Sequence, residues 1–351
     1  MSLQTADIII IGGGITGCCL AYELSKKKIS VIVIEKNTIG AASSGRSGGG
    51  IRQQNRVPQE LPLAMMSVKV WQEMAQTFDQ DFEYRQNGNL KLVMSENDVA
   101  HFQNEVVRQQ NAGLDVHFFN ESQVRELLPA LSRDIKIFGG TYCPGDGTAN
   151  PLLITKAVAD QARKAGAIFH EYQAVNSIKR KKRTSRGSTM VVRTGQGTYE
   201  SAMVINAAGA WAGQISTMAE LPMPPCRIMR SHIMVTKAIP PIIVPFVSHP
   251  KGYMRQAVNG NLHMGVSSAP VEGFDVRTDI NIFDSAGYYL SLFPFMKHLP
   301  IIRTWAGLTY WTPDAFPIIS PAPGLKEFFL IAGFSGHGFC LGPGAAKALS
   351  Q

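Results

Sequence analysis

A short pattern of glycines near the N-terminus has the spacing of a phosphate-binding turn. Gly12, Gly14 and Gly17 form a G-x-G-x-x-G pattern directly after the apolar run 8–11. In such a pattern the first glycine permits a tight turn and the second lets the backbone approach a pyrophosphate. The third lets the following helix pack close to the strand. The spacing therefore predicts a site for a dinucleotide.

The segments around these glycines predict a βαβ unit. A buried strand over 8–11 leads into a helix over 16–27, and a second apolar strand ends at Glu35. The N–H groups at the helix start, with Ile15 and Thr16, would face the phosphates. Glu35, with Lys36 beside it, lies where an acid accepts hydrogen bonds from the ribose hydroxyls, and it disfavours a 2′-phosphate. NAD and FAD both fit this unit.

The next segment distinguishes the two cofactors. After the second strand the chain continues with small residues and no apolar periodicity, whereas a nicotinamide enzyme more usually continues with βα units. Such a run indicates backbone packed against a bulky, flat ligand, so it favours FAD. The residues that we assign to the cofactor here are Ser43, Ser44, Arg46, Ser47, Gly48, Gly49 and Gly50.

The chain resembles the glycine oxidase, D-amino-acid oxidase and sarcosine oxidase superfamily of flavoproteins. It most resembles the flavin-binding beta-type subunits of heteromeric sarcosine oxidases and the related proline, hydroxyproline and opine dehydrogenases and cyanide synthase. Besides the N-terminal fingerprint, the matching segments are 43–54, Asn87–Val93, Val204–Gly213, Gly307–Ile319 and Ile331–Phe339.

This resemblance implies an α/β (α+β) fold of the glutathione-reductase type. A Rossmann-like FAD-binding domain would comprise 1–86, 139–222 and 300–351. The insertions 87–138 and 223–299 would form a mostly antiparallel β-sheet domain that binds the substrate. Strand-like segments bounded by glycine support these insertions.

The resemblance also implies how the cofactor binds. FAD would be noncovalent, because Gly307 and Leu308 stand where the monocovalent sarcosine oxidases carry the attachment cysteine. An FMN at a subunit interface is a further expectation. The remaining residues expected along FAD are Val175, Ala207, Ala208, Gly209, Trp211, Gly307, Gly333, Ser335, Gly336, His337, Gly338 and Phe339.

The implied reaction is oxidation of the C–N bond of a small amino or imino acid, of the sarcosine, proline, glycine or D-amino acid class, by hydride transfer to flavin N5. A substrate carboxylate requires a cation, and Arg52 and Arg255 are the candidates. A phosphate or surface ion-pair role for Arg52, and a strand-surface role for Arg255, remain alternatives. His337 is expected to donate a hydrogen bond near the flavin. Tyr253 is assigned to the catalytic site, and the possible pocket walls are Tyr253, His263 and Trp311.

Two other functions remain open. The chain could be a flavin-bearing subunit that is inactive without partners, or an oxidoreductase of 2-hydroxyacids or glycerol phosphate. A phosphate substrate would require clustered cations, and 223–299 is not rich in them. No lysine lies from Gly252 to Met296, where related oxidases place one over the flavin. We therefore expect a dehydrogenase that works with other subunits and reacts weakly with oxygen.

Composition limits the setting. The 351 residues are 45% hydrophobic and 17% charged, as in soluble globular proteins, and neither a transmembrane segment nor a secretory signal is evident, so we expect a cytoplasmic protein. The five cysteines form no C-x-x-C pair, which argues against a disulfide framework and a metal site.

Six of the positive charges lie in 179–186, which predicts a solvated hairpin loop or, alternatively, a docking patch. Without interleaved aromatic residues it does not predict nucleic-acid binding.

Overall fold

The computed structural model describes residues 3–183, 187–222, 224–266, 268–279, 282 and 284–351. The helices are α1 (Ile15–Lys26), α2 (Leu61–Thr77), α3 (Val99–Asn111), α4 (Glu121–Leu127), α5 (Pro151–Lys164), α6 (Ala212–Met218), α7 (Asp284–Leu292) and α8 (Gly338–Leu349). The strands are β1 (Leu3–Ile11), β2 (Val31–Ile34), β3 (Gly50–Ile51), β4 (Asn89–Val93), β5 (His117–Phe119), β6 (Gly139–Cys143), β7 (Gly147–Thr148), β8 (Ile168–His170), β9 (Val175–Arg183), β10 (Gly187–Thr194), β11 (Thr198–Asn206), β12 (Arg227–Thr236), β13 (Phe246–His249), β14 (Gly252–Gln256), β15 (Leu262–Val266), β16 (Ala269–Pro270), β17 (Ile301–Trp311), β18 (Ile318–Ala322) and β19 (Leu325–Ala332).

The first sheet has the strand order β18-β19-β11-β1-β2-β8. Its five central strands, β19 to β8, are parallel, whereas β18 pairs antiparallel with β19. The chain leaves β1 toward β2 on one side and later returns to β11 on the other. The carboxyl ends of these strands therefore meet at the point where the strand order reverses, which is where such sheets bind ligands.

The first sheet is buried on both faces. β2 is apolar throughout and fully buried, as parallel strands between helices usually are. On one face α1 packs against α5 and α8, with small residues such as Ala21 and Ala345 in the contact. The other face carries α6 and the β9–β10 hairpin. The predicted helix over 16–27 is α1, which begins one residue earlier.

The second sheet has the order β16-β12-β15-β14-β13-β4-β6-β5, with β17 beside β12. Its pairs are antiparallel except for the parallel pair of β4 with β13. A separate core that includes Leu90, Met254 and Phe293 lies on one face. β6 and β17 hydrogen-bond within this sheet, although their ranges were assigned to the FAD domain. The predicted domain bounds therefore divide this sheet, and they stay a prediction.

The basic stretch lies on a hairpin of the first sheet. Its residues up to Arg183 are on β9, which pairs antiparallel with β10, and 184–186 lie outside the described residues. Arg180 pairs with Glu327 at 2.8 Å and Lys181 with Glu200 at 3.5 Å. Part of the charge is thus neutralised within the chain. Among the described helices, none combines the length and the apolar character that crossing a membrane requires.

Candidate active site

A cavity of about 670 Å³ is lined by residues of both sheets. This volume is typical of small-molecule sites, which measure roughly 300–1,000 Å³. One part, here called the dinucleotide end, lies at the carboxyl ends of β1 and β2 and the start of α1. The other part, here called the roof, consists of the lining residues of β4 and of β12 to β15, together with Arg52 and Arg56.

Glycine is required on steric grounds in the turn between β1 and α1. Gly12 has a φ of +114°, and a Cβ there would lie 2.5 Å from the carbonyl oxygen of Ala207. A Cβ on Gly17 would lie 2.0 Å from the carbonyl oxygen of Gly12. The turn therefore brings α1 and β11 against the end of β1, and side chains would separate these elements.

The Glu35 carboxylate holds the glycine turn from the neighbouring strand. Its Oε2 accepts a hydrogen bond from the Gly13 N–H at 2.7 Å, and its Oε1 accepts one from the Asn37 N–H at 2.8 Å. Carboxylate oxygens have lone pairs for additional donors. The predicted bonds to ribose hydroxyls thus remain available beside a structural role that the sequence did not indicate.

The small-residue segment joins the dinucleotide end to the second sheet. Ser44 Oγ accepts a hydrogen bond from the Ile15 N–H at the start of α1, at 2.9 Å. Ser43 Oγ donates to the Leu308 carbonyl, and Arg46 Nη1 donates to the Ala306 carbonyl at 3.0 Å. Arg46 is therefore bonded to β17, and its guanidinium also serves to hold this segment in place.

A buried ion pair connects the start of α2 to the start of α8. Arg56 Nη1 lies 3.3 Å from Glu60 Oε2, and both side chains are at most 3% exposed. Glu60 Oε1 lies 2.9 Å from Nδ1 of His337. Burial raises the pKa of Glu60, but the hydrogen bond with His337 and the charge of Arg56 outweigh it, so that the net pKa is lowered. Glu60 is accordingly an ionised acceptor.

The contact with Glu60 determines which hydrogen bonds His337 can make. Burial, reinforced by the charge of Arg56, lowers the pKa of His337 to about 4, so the imidazole is neutral at pH 7. Since Glu60 only accepts, Nδ1 carries the proton and Nε2 is an acceptor. The side chain is 30% exposed and lines the cavity. In this tautomer Nε2 offers a lone pair to the cavity, and the role of His337 beside the flavin stays a prediction.

The roof rests on the second glycine cluster. Tyr253 lies against Gly48, where a Cβ would be 2.1 Å from the hydroxyl oxygen, and it stacks on Phe246 with ring centroids 5.0 Å apart. Burial raises the pKa of Tyr253 to about 12, so the phenol stays protonated. Arg255 Nε donates to the Gly48 carbonyl at 2.5 Å. Arg255 is buried behind the lining and supports the glycine loop from outside the cavity.

Comparisons with known proteins agree with this geometry. The family model described as "FAD dependent oxidoreductase" matches residues 7–351. The chain belongs to this family.

Relatives and solved structures support the assignment. Mitochondrial dimethylglycine dehydrogenase of Rattus norvegicus is 27% identical over 371 residues, which cover 99% of this chain but 42% of that protein. Sarcosine oxidase subunit beta of an Arthrobacter species is 27% identical over 361 residues, covering 99% and 87% of the two chains. The crystal structure of L-proline dehydrogenase from P. horikoshii superposes with a TM-score of 0.92 at 29% identity, covering 99% and 93%. The predicted superfamily and fold class are confirmed.

The cavity fits FAD, the family's cofactor. Gly14, the residue before α1, has no side chain to cap the helix, and only the Ile15 N–H is bonded to Ser44, so the first turn keeps amide donors for a pyrophosphate. His337 at the start of α8 likewise makes no capping bond, which leaves amide donors for the polar edge of the ring. Lys36 lies over the Trp211 ring at 3.3 Å, and Trp211 stacks on Phe274 with centroids 5.0 Å apart. Burial lowers the pKa of Lys36.

Most of the predicted site residues lie together in the structure. Those outside the lining are Gly17, Gly49, Arg255, His263 and Trp311. Those that line the cavity are Gly12, Gly14, Ile15, Thr16, Glu35, Lys36, Ser43, Ser44, Arg46, Ser47, Gly48, Gly50, Arg52, Val175, Ala207, Ala208, Gly209, Trp211, Tyr253, Gly307, Gly333, Ser335, Gly336, His337, Gly338 and Phe339.

The sequence reading missed several roof groups. Lys91 on β4, His249 on β13 and Arg56 line the cavity, and Glu60 holds Arg56. Lys91 lies within the matched segment 87–93, but strand alternation alone did not indicate which face meets the cavity. The expectation of weak reaction with oxygen rested on the lysine-free stretch 252–296 and did not consider Lys91 in the earlier insertion.

Proposed function

We propose that this chain oxidises the C–N bond of a small amino or imino acid with FAD as the electron acceptor. One observation carries the proposal. Arg52 lines the cavity that begins at the dinucleotide fingerprint, and within the described part of the chain its guanidinium makes no hydrogen bond or ion pair. Arg56, four residues later, is paired with Glu60. An unpaired guanidinium beside a flavin site suits a substrate carboxylate.

The environment of Arg52 favours an anionic ligand. Burial and the nearby charge of Arg56 lower the pKa of Arg52 to about 10, so the guanidinium remains a cation at pH 7. Its backbone is fixed by Cys340, whose Sγ accepts from the Arg52 N–H and donates to the Arg52 carbonyl, both at 3.3 Å. The arginine is thus positioned before the substrate arrives, which reduces the ordering cost of binding.

FAD in this cavity would supply a two-electron acceptor that takes a hydride from the carbon bearing the nitrogen, leaving an imine that water hydrolyses to a carbonyl compound and an amine. The protein contributes position and electrostatics. Arg52 orients the carboxylate, and Tyr253 forms a wall of the pocket. Nε2 of His337 accepts a hydrogen bond from an N–H group inside the cavity. Arg255 acts indirectly through the glycine loop.

The proposal includes binding mode, partners and location. FAD is noncovalent, since Gly307 and Leu308 offer no thiol in the segment where monocovalent relatives attach it. Other subunits complete the enzyme, as the name of the sarcosine oxidase subunit relative suggests, and an FMN at their interface belongs to this proposal. The cytoplasm is its location, because the five cysteines are free thiols.

The purified chain tests these points directly. It should be yellow and release FAD on denaturation, and flavin that precipitates with the protein would contradict noncovalent binding. Under anaerobic conditions sarcosine, proline, glycine or dimethylglycine should bleach the flavin, whereas lactate and glycerol 3-phosphate should not. Bleaching by the hydroxyl compounds alone would favour the 2-hydroxyacid or glycerol-phosphate alternative. No bleaching by any of them until partner subunits are added would favour the inactive-subunit alternative.

A variant pair tests the role of Arg52. Arg52→Met should raise the substrate concentration for half-maximal reduction about tenfold or more, because a charged hydrogen bond is lost. Arg193→Met, at an exposed arginine on β10, is the control. Equal behaviour of both variants would remove Arg52 from the site.

Reduced enzyme should reoxidise faster with an artificial dye than with oxygen, and rapid peroxide formation would contradict the dehydrogenase assignment.

A further inference from the structure

Arg52 is not the only cation of the cavity that lacks an anionic partner. Lys91 also lines it, and across the described ranges its ammonium group makes neither a hydrogen bond nor an ion pair. Ordinary surface lysines are solvated, but Lys91 is only partly exposed. Lys36 at the dinucleotide end is likewise without a hydrogen bond or ion pair among the described residues and contacts the Trp211 ring. At the roof, Arg52 and Lys91 are two such cations, and their partial burial is costly unless a ligand with matching charge binds there.

The strand geometry directs Lys91 toward the ligand. Its neighbours Leu90 and Leu92 on β4 are buried in the second core. Since successive side chains of a strand point to opposite faces, Lys91 points to the face that lines the cavity. Its partner in the register with β13 is Ser248, which also lines the cavity.

A single aromatic contact holds the ammonium group. Nζ of Lys91 lies 4.8 Å from the centroid of the Phe102 ring on α3. Burial lowers the pKa of Lys91, and the positive charge of Arg52 lowers it further, although Asp98 and Glu105 act in the opposite direction. Glu105 is already paired with Arg108. The positive charges of Arg52 and Lys91 therefore repel each other, and an anion bound between or beside them would reduce this repulsion.

We propose that Lys91 binds a second carboxylate of the substrate, so that the preferred substrates are amino or imino acids with two carboxylates. This inference rests on the proposed function. Arg52 holds the carboxylate next to the oxidised carbon with its planar fork, and Lys91 holds the other as a compact point charge. The cofactor phosphates are not an alternative ligand for Lys91, because they belong at the start of α1 on the other sheet.

Matched substrate pairs test the proposal on the FAD-loaded chain. Anaerobic flavin reduction is compared for sarcosine against iminodiacetate and for glycine against aspartate. The dicarboxylate of at least one pair should be preferred about tenfold or more, as expected for one charged hydrogen bond. A preference for iminodiacetate places the second carboxylate on the nitrogen substituent, and a preference for aspartate places it on the side chain. Equal reduction within both pairs would overturn the proposal.

Binding of unreactive anions gives a readout that does not depend on turnover. Succinate and acetate are titrated against the flavin absorbance of the wild type, Lys91→Gln and the control Lys251→Gln. Lys251 is matched because its Nζ also lies 4.8 Å from an aromatic ring, that of Tyr288, yet it is exposed and outside the cavity. Lys91→Gln should weaken succinate binding about tenfold while acetate binding and the control stay unchanged.

The outcomes separate this inference from the proposed function. If Lys91→Gln weakens succinate and acetate equally, or neither, Lys91 has no role for a second carboxylate. If Lys91→Gln instead slows only the reoxidation by oxygen, the lysine serves oxygen reduction and the inference is overturned. If amines bleach the flavin without any preference for dicarboxylates, the proposed function stands and the inference fails. If no amine bleaches it, the proposed function fails first.

Discussion

The two ends of the cavity recognise ligands in different ways. At the dinucleotide end the groups that face the ligand are mostly backbone amides, and glycines such as Gly12 keep the elements close enough to present them. At the roof the charged groups that line the cavity are side chains from distant segments, including Arg52 after β3 and Lys91 on β4. The first end is specified by local sequence, whereas the second depends on the packing of both sheets.

Arg52 and Arg56 show why this difference matters. Both line the cavity, and only four residues separate them. Arg56 is neutralised by Glu60 and donates to the Arg52 carbonyl at 3.3 Å, so it acts as a support. Arg52 lacks such a partner among the described residues and is free to bind a ligand. Both residues are arginines of the same segment, so their different roles follow from the groups that each side chain contacts.

The largest effect is expected where the roof depends on one buried charge. Glu60→Ala leaves the buried guanidinium of Arg56 without its anionic partner, so it should lower the free energy of unfolding by about 3–5 kcal/mol. Glu73→Ala, in a half-exposed pair with Lys347 at 2.7 Å, is the control and should cost about 0–1 kcal/mol. Urea denaturation of the holoprotein measures both. A cost below 1 kcal/mol for Glu60→Ala would mean that the network does not support the roof.

The dinucleotide end should respond to shape instead of charge. Gly17→Ala places a methyl group against the Gly12 carbonyl, so it should cost about 1–3 kcal/mol and reduce the bound FAD. Gly195→Ala is the matched control, since a Cβ there meets no atom within 4 Å. Thermal unfolding and the ratio of flavin to protein absorbance report both effects. Equal stability of the two variants would show that close packing of α1 on β1 is not required.

The same division decides what the sequence could predict. The βαβ unit and the family follow from local patterns, because Gly12, Gly17 and Glu35 each lie at a fixed distance from a strand end. The same patterns indicated most of the residues predicted for the cofactor that line the cavity. The Glu60–His337 contact joins residues 277 positions apart, so no local signal indicates it. The placement of Lys91 on the lining that Arg52 shares likewise depends on the pairing of β4 with β13. Arg255 lies outside the lining although it is two residues from the lining residue Tyr253 on β14, so strand alternation alone does not indicate which side chains reach the cavity.

A pH experiment can probe the roof separately. Both ring nitrogens of His249 are buried without a hydrogen-bond partner in the described structure, and burial lowers the pKa to about 4 from 6.5. Between these pH values His249 is protonated in the unfolded chain but neutral in the folded chain. The contribution of neutral His249 to the free energy of unfolding is therefore complete above pH 6.5 and declines as the pH falls toward 4.

Replacing this histidine should flatten the pH profile. Between pH 6.5 and pH 5 the unfolding free energy of the wild type should fall by about 2 kcal/mol more than that of His249→Phe. The difference grows by about 1.4 kcal/mol per pH unit. The phenyl ring keeps the contacts with Tyr288 and Tyr289. Urea denaturation across this range gives the slope, and exposed His298→Phe is the control. An unchanged slope for His249→Phe would show that another group dominates acid unfolding.

The smallest expected change separates ribose binding from support of the turn. Glu35→Ala removes acceptors for the ribose hydroxyls and also for the Gly13 N–H, so FAD affinity should fall about tenfold or more, or about 1.4 kcal/mol. Glu171→Ala is matched, because Glu171 Oε2 accepts the Ile39 N–H at 2.9 Å but lies outside the lining. Fluorescence titration of the apoprotein with FAD compares them. If both variants lose affinity equally, backbone support alone explains the effect. If only Glu35→Ala loses it, the carboxylate contacts the cofactor, and the dinucleotide end also uses one side chain that local sequence can identify.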